Sequence, residues 1–282
     1  MKTIQKTAIA LAASGLFATA AFAQTAPAAE APEVSPVTAN VTVTNDYRYR
    51  GITQTNYQPA IQGGFDYAHE SGLYIGNWNS SISWISNATG NGVKAPLEMD
   101  FYGGFKKELI GEGFASDFGI LQYYYNQTGK NYNSAIVNPN TTELYVAQNF
   151  TFGPVTGFVK VNYALTNIFG IPSSTGSYYP DLTANYDTGI WGITLNSHVG
   201  YQYVAGQPGS QGGIGQTQKN ISYTDFKLGA TKDFGGGLSL SAAYVSTNAN
   251  PVWWNTFSST TTGQLTSSAG RPGAVVSLTK VF

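Results

Sequence analysis

Roughly twelve segments of alternating apolar and polar residues, joined in turn by short and long connections, constrain this chain more than any other feature. The first runs from Val37 to Arg50. Val37, Ala39, Val41, Val43, Tyr47 and Tyr49 fall on odd positions, Thr38, Asn40, Thr42, Thr44, Asp46, Arg48 and Arg50 on even ones, and only Asn45 is out of phase. A strand points successive side chains to opposite faces, so this segment carries one apolar face and one of hydroxyls, amides and charges. It suits a boundary between hydrocarbon and water. Its repetition predicts an all-β fold, a transmembrane antiparallel up-and-down β-barrel.

Further strands follow at Ile61 to Ala68, Leu73 to Trp84, Leu97 to Lys106, Phe114 to Tyr125 and Thr142 to Phe150. Later ones begin at Val155, end near Tyr186, run from Trp191 to Tyr203, end at Phe234, begin at Leu238 and close the chain at Phe282. Tight turns fall at His69 to Gly72, Gly111 to Gly113, Gly153-Pro154, Asp187 to Gly189 and Gly235 to Gly237. The other connections are longer and polar, and the longest is Asn248 to Gly270. An even strand number closes the barrel, with short turns periplasmic, long loops external and both termini on the periplasmic side. The phase of the third, fifth and eighth strands is ambiguous. Tyr47, Tyr49, Tyr163, Tyr201 and Tyr203 gather at outer strand ends and Tyr67, Trp191, Phe234 and Phe282 at inner ones, as two interface girdles would.

Lys2 and Lys6, an apolar stretch from Ala8 to Ala20, and Ala21-Phe22-Ala23 before Gln24 read as a secretory signal spanning 1–23. Residues 24–36, rich in Ala, Pro and Glu, read as a flexible lead-in, leaving 37–282 as one barrel domain. Charged residues are only 10% of the chain and aromatics 14%, a surface water would solvate poorly. Without Lys2 and Lys6 the 14 basic residues fall to 12 against 15 acidic, so nothing favours nucleic acid. No cysteine is present, which excludes disulfides and thiolate chemistry.

The block Val41-Thr42-Val43-Thr44-Asn45-Asp46-Tyr47-Arg48-Tyr49-Arg50-Gly51-Ile52-Thr53-Gln54, then Pro59 to Gly63 and Asp66-Tyr67, resembles the proteobacterial TorF family of porins. The resemblance continues through Ser71 to Trp78 and Glu98 to Gly104 and reaches the tail Val276 to Phe282. It implies an outer-membrane barrel that passes small solutes, with no site residues to transfer. The terminal Phe282, with Leu278, Val276 and Ala274 at alternate positions, resembles the signal read by barrel-insertion machinery, and Lys280 departs from that pattern.

Enzyme chemistry has little to stand on. Of two histidines, His69 lies in a predicted tight turn, whereas His198 falls on the polar phase and faces a lumen, where a hydrogen-bonding role outweighs a catalytic one. No serine has a nucleophile setting, and Gly209, Gly212, Gly213 and Gly215 lack the spacing and the lysine of a phosphate loop. No metal site and no cofactor are expected. The polar-phase charges are Asp46, Arg48, Arg50, Asp66, Glu98, Asp100, Lys106, Glu143, Lys160, Asp225 and Lys227. Charges so placed set ion or solute selectivity, or pair across strands and fill the interior. Arg48 and Arg50, on adjacent inward positions, are the leading selectivity candidates.

Twelve strands lie between barrels filled by side chains and those holding wide channels, so a narrow polar lumen is expected. A loop such as Val252 to Gly270 folds in to constrict it, and ions or small hydrophilic solutes diffuse through. The alternative is a receptor, adhesin or structural barrel acting through its loops, decided by whether Tyr102, Phe158 or Tyr123 occludes the lumen. Expected partners are outer-membrane lipid, the insertion machinery and small polar solutes or ions, with the oligomeric state open.

Overall fold

In the computed structural model, which describes residues 35–89, 94–127, 138–206, 221–257 and 265–282, the alternating segments form the wall of a closed barrel. The chain runs through β1 (Val37–Thr44), a small hairpin of β2 (Arg48–Tyr49) and β3 (Ile52–Thr53), β4 (Ala60–Ala68), β5 (Leu73–Ser81) and α1 (Trp84–Thr89). Then come β6 (Leu97–Gly111), β7 (Phe114–Tyr125), β8 (Thr141–Phe152), β9 (Val155–Ala164), β10 (Tyr178–Asp187) and β11 (Ile193–Gln202). It ends with β12 (Tyr223–Asp233), β13 (Leu238–Thr247), a second small hairpin of β14 (Asn255–Phe257) and β15 (Leu265–Ser268), and β16 (Gly273–Val281).

Setting aside the two small hairpins, twelve strands pair antiparallel with their sequence neighbours. β1 closes the ring between β16 and β4, with Thr42 opposite Thr279 on one side and Gln62 on the other. Closure leaves no strand edge unpaired, which backbone crossing hydrocarbon requires. No helix among the described residues is long and apolar enough to span a membrane, so any crossing belongs to the strands.

The apolar phase faces outward all round: Val41, Val43, Phe65, Ile75, Phe101, Ile120, Val146, Val159, Leu182, Val199, Leu228, Tyr244 and Leu278 are exposed. Tyr163, Tyr201, Tyr67, Trp191, Phe234 and Phe282 are exposed at the strand ends where the girdles place them. Lys280 turns its ammonium onto the Gly236 carbonyl in the adjacent short turn, which accommodates that departure from the tail pattern.

The ambiguous strands now have a phase. β5 turns Tyr74, Trp78 and Ser80 inward, β7 turns Ala115, Asp117, Leu121, Tyr123 and Tyr125 inward, and β10 turns Tyr179, Asp181 and Thr183 inward. Their inner faces carry rings and a leucine, so both faces read as apolar in sequence.

Three expectations are corrected. The first alternating run does not continue to Arg50: the barrel strand stops at Thr44, and the chain turns into the lumen, taking Tyr47 and Tyr49 away from the outer girdle. The third strand stops at Ser81 rather than Trp84, because Ser83 and Trp84 donate their amides to the Gln54 carbonyl and the chain then coils into α1. The loop that folds deep into the lumen is the first one, 45–59. The Val252 to Gly270 loop packs Trp254 against Ile221 and Tyr223 near the mouth, and its residues 258–264 lie outside the described residues. Also outside them are 1–23 of the signal, 24–34 of the lead-in and the glycines Gly209 to Gly215.

Candidate functional site

Asp46 starts the inward hairpin. Its carboxylate accepts from the hydroxyls of Thr53 at 2.6 Å and Thr55 at 3.3 Å and pairs with Arg48, holding the two limbs together. Arg48 faces Thr53 and Tyr49 faces Ile52, leaving Arg50 and Gly51 as a two-residue turn with φ of 45° and 76°. Two left-handed residues in a two-residue loop give the turn whose twist matches a hairpin. A Cβ on Gly51 would meet Asp225 and Thr247 at 2.7 Å, so glycine lets the tip rest on the wall formed by β12 and β13.

The hairpin side chains are fully engaged. The Tyr47 hydroxyl donates to Glu98 at 2.6 Å, Tyr125 donates to the other oxygen of Glu98 at 2.6 Å, and the Tyr47 ring meets Trp78 edge-on. Burial, and then the Glu98 charge, hold the Tyr47 phenol well above its usual value, so it remains a donor. Tyr49 shares a hydroxyl hydrogen bond of 2.8 Å with Tyr123 and packs edge-on against Phe169. Arg50 donates through Nη2 to Glu143 and through Nη1 to Gln202, each at 2.6 Å, with its guanidinium 4.3 Å from the Tyr179 ring centre.

A second construction repeats around the wall. The Tyr102 hydroxyl donates to Asp66 at 2.5 Å across β5, the Tyr74 hydroxyl to Asp117 at 2.6 Å across β6, and the Tyr179 hydroxyl to Asp225 at 2.9 Å across β11. In each case the strand that is crossed offers a glycine under the ring: Gly76, Gly104 and Gly200. Tyr145 lies over Gly119 in the same way, and Lys160 sits 4.4 Å from its ring centre. Rings laid against the wall take less of the bore than rings projecting across it. Tyr102 is therefore a wall element, and Tyr123 is covered by the hairpin through Tyr49.

His198 bridges two carboxylates, with Nδ1 at 2.8 Å from Asp181 and Nε2 at 2.9 Å from Asp225. Tyr179 and Thr183 complete its surroundings at 3.0 and 3.3 Å. Its ring thus lies on the inner face of the barrel, hydrogen-bonded to the wall on both sides. Lys227 stands opposite His198 in register, and Lys160 opposite Asp181.

Toward the long loops Glu98, Asp100, Glu143, Gln202, Tyr223 and Asp225 are buried under the hairpin. Nearer the short turns burial is uneven: Asp117, Asn196 and Thr231 are buried, while Asp66, Lys106, Lys160, Asp181, His198 and Lys227 keep partial solvent contact. The described residues thus form a barrel filled by the hairpin at its long-loop end, with partly solvated charged side chains farther toward the short turns.

Most of the sequence-predicted site residues meet in this interior, but Arg48 and Arg50 part company. Arg48 stays near the mouth, donating to the carbonyls of Gly51 at 2.9 Å and Arg271 at 3.1 Å, while Arg50 alone reaches the far wall. Sequence reading missed Asp117 and Asp181, both on strands of ambiguous phase, and Tyr47, Tyr179 and Gln202. The parity of Tyr179, Asp181 and Thr183 was a signal for β10. Among the described residues no group of histidines, cysteines and carboxylates is arranged to hold a metal ion.

A family model described as "Bacterial protein of unknown function (Gcw_chp)" matches residues 28–282. No curated protein matches the chain. Among solved structures the NanC porin is similar with a TM-score of 0.51 and 8% identity, covering 86% of this chain and 98% of that one. The KdgM porin gives 0.48 and 5% over 87% and 97%, and the outer membrane protein OprD from Pseudomonas aeruginosa 0.41 and 12% over 89% and 65%. The NanC likeness is one of fold, a closed barrel of porin type. That fold agrees with the barrel that the TorF resemblance implies, and the matching family model does not carry the TorF name.

Proposed function

We propose that this chain, which belongs to the Gcw_chp family of bacterial proteins of unknown function, is an outer-membrane barrel of porin type through which ions or small hydrophilic solutes diffuse down their gradients. One observation carries the reading: a closed ring of twelve strands has lipid-compatible side chains outside and hydroxyls, amides and charges inside. The TorF resemblance points the same way. In that setting the short turns are periplasmic, the long loops external, and the exposed Phe282 at the end of the last strand is the mark for the insertion machinery. No energy source, cofactor or chemical step enters this reading, since pore width and lining charge suffice for selectivity. Asp66, Lys160, His198 and Lys227 keep partial solvent contact toward the short turns, and Glu98, Asp100 and Glu143 lie beneath the hairpin, so conduction requires the hairpin to yield.

The hairpin also gives the second reading its support. A barrel stoppered by Tyr47, Tyr49 and Arg50 could act through its external loops and never conduct. Planar-bilayer recording of the detergent-purified protein under a salt gradient separates the two. Discrete current steps support the channel, and a folded, inserted protein that stays silent at all voltages supports the receptor or structural barrel.

A further inference from the structure

The chain's own plug carries a specific chemistry into the lumen, and the wall that receives it is built independently of the plug. Arg50 is the only hairpin contribution to its seat besides the Tyr49 ring, which stands 4.8 Å from the guanidinium. The other three partners come from separate barrel strands: Glu143 from β8, Tyr179 from β10 and Gln202 from β11. Each is oriented by the wall itself. Asn162 donates to Glu143 Oε2 at 2.9 Å, the Tyr179 hydroxyl donates to Asp225, and Gln202 spends its amide nitrogen on the Tyr203 carbonyl at 2.9 Å, which turns its oxygen toward the cation.

A carboxylate, an amide carbonyl and an aromatic face, at the distances seen here, form a recognition set for a planar cation with several donors. An ammonium would satisfy the charge and leave the fork and the stacking unused. A second observation lies beside the seat. Asp100 is fully buried on β6, and among the described residues neither of its carboxyl oxygens has a hydrogen-bond partner. The wall beside the seat therefore carries carboxyl oxygens that Arg50 does not engage.

We propose that the Arg50 seat is a binding site for guanidinium-bearing solutes, which compete with the hairpin tip for Glu143, Gln202 and Tyr179. The inference rests on the channel reading for its consequence: such a solute replaces Arg50 cation for cation, and the hairpin gives way without an uncompensated buried carboxylate. A ligand shifts the hairpin only through its preference for the vacated seat.

Arg50→Ala in the full-length protein vacates the seat and leaves the wall intact, so guanidinium chloride is the probe, with sodium and methylammonium chloride at matched ionic strength as controls. The expected result is a several-fold gain in current when millimolar guanidinium displaces the hairpin of the unsubstituted protein, together with a guanidinium-specific rise in the thermal unfolding temperature of Arg50→Ala, whose seat it fills. Both responses disappear in Arg50→Ala/Glu143→Gln. Equal responses to all three cations, or a response that persists without Glu143, overturn the site. Guanidinium stabilisation with no current from any variant keeps the site and defeats the channel reading, and current without a guanidinium effect does the reverse. If Arg50→Ala does not fold, the unsubstituted protein serves: a guanidinium permeability several-fold above methylammonium, read from reversal potentials, is expected, and equality rejects the site.

Discussion

Gly76 and Tyr102 face each other in register on β5 and β6, and a Cβ on Gly76 would lie 2.5 Å from Tyr102 Cζ. The tyrosine reaches Asp66 two strands away because nothing projects from the strand between. Gly76→Ala must lift the ring and break that hydrogen bond, an overpacking cost of about 1–3 kcal/mol. Gly111→Ala, where an added Cβ meets nothing within 4 Å, stays within about 0.5 kcal/mol. Urea titrations in lipid vesicles followed by tryptophan fluorescence read both, and equal destabilisation would show that the ring lies elsewhere.

Arg50 and Arg48 separate in function. Arg50 and Glu143 have side chains 5% and 2% exposed, so removing the arginine leaves a buried carboxylate unpaired, at about 3 kcal/mol. Arg50→Ala is expected to be less stable and, in bilayers, more open. Arg48→Ala loses the carbonyls of Gly51 and Arg271 near the mouth, and is expected to keep the parent conductance while exposing the last loop to protease. Equal conductance changes in the two variants would refute the hairpin as a stopper latched by Arg50.

The outer wall can be tested at Leu182, which is exposed between Val159 and Val199 on neighbouring strands. Leu182→Arg places a guanidinium against hydrocarbon and is expected to cost about 2–4 kcal/mol of folding free energy in a bilayer. Asn185→Arg on the inward phase, half-buried toward the short turns, should cost clearly less. If both variants refold equally well into vesicles, that outer face does not meet lipid.

Phe282 separates assembly from stability. Its backbone pairs with Ala39, the amide donating at 2.8 Å, while the residue as a whole is 72% exposed. Phe282→Ala keeps the backbone pairing, so the stability of the folded barrel should move by no more than about 0.5 kcal/mol. The yield of inserted barrel in cells should nevertheless fall, as judged by heat-modifiable migration of outer-membrane fractions. An unchanged yield would remove Phe282 as an insertion mark.

The sequence by itself determined the barrel, because a period of two with one apolar face is a local property that needs no knowledge of the partner strand. Strand number, alternating connection length and the outward phase of the cleaner strands follow from it, as does the position of His198. It misjudged the first run because Thr44 to Arg50 keeps nearly the same alternation whether the chain continues as wall or bends inward. Asn45, the one residue out of phase, marked the break. Only the tertiary structure decided that Asp46 would tie down Thr53 and Thr55, that Arg50 would reach Glu143 and Gln202, and that glycines would lie beneath tyrosines two strands from their aspartates. Each of these joins residues far apart in the chain, and their meeting depends on strand register, which periodicity within one strand does not encode.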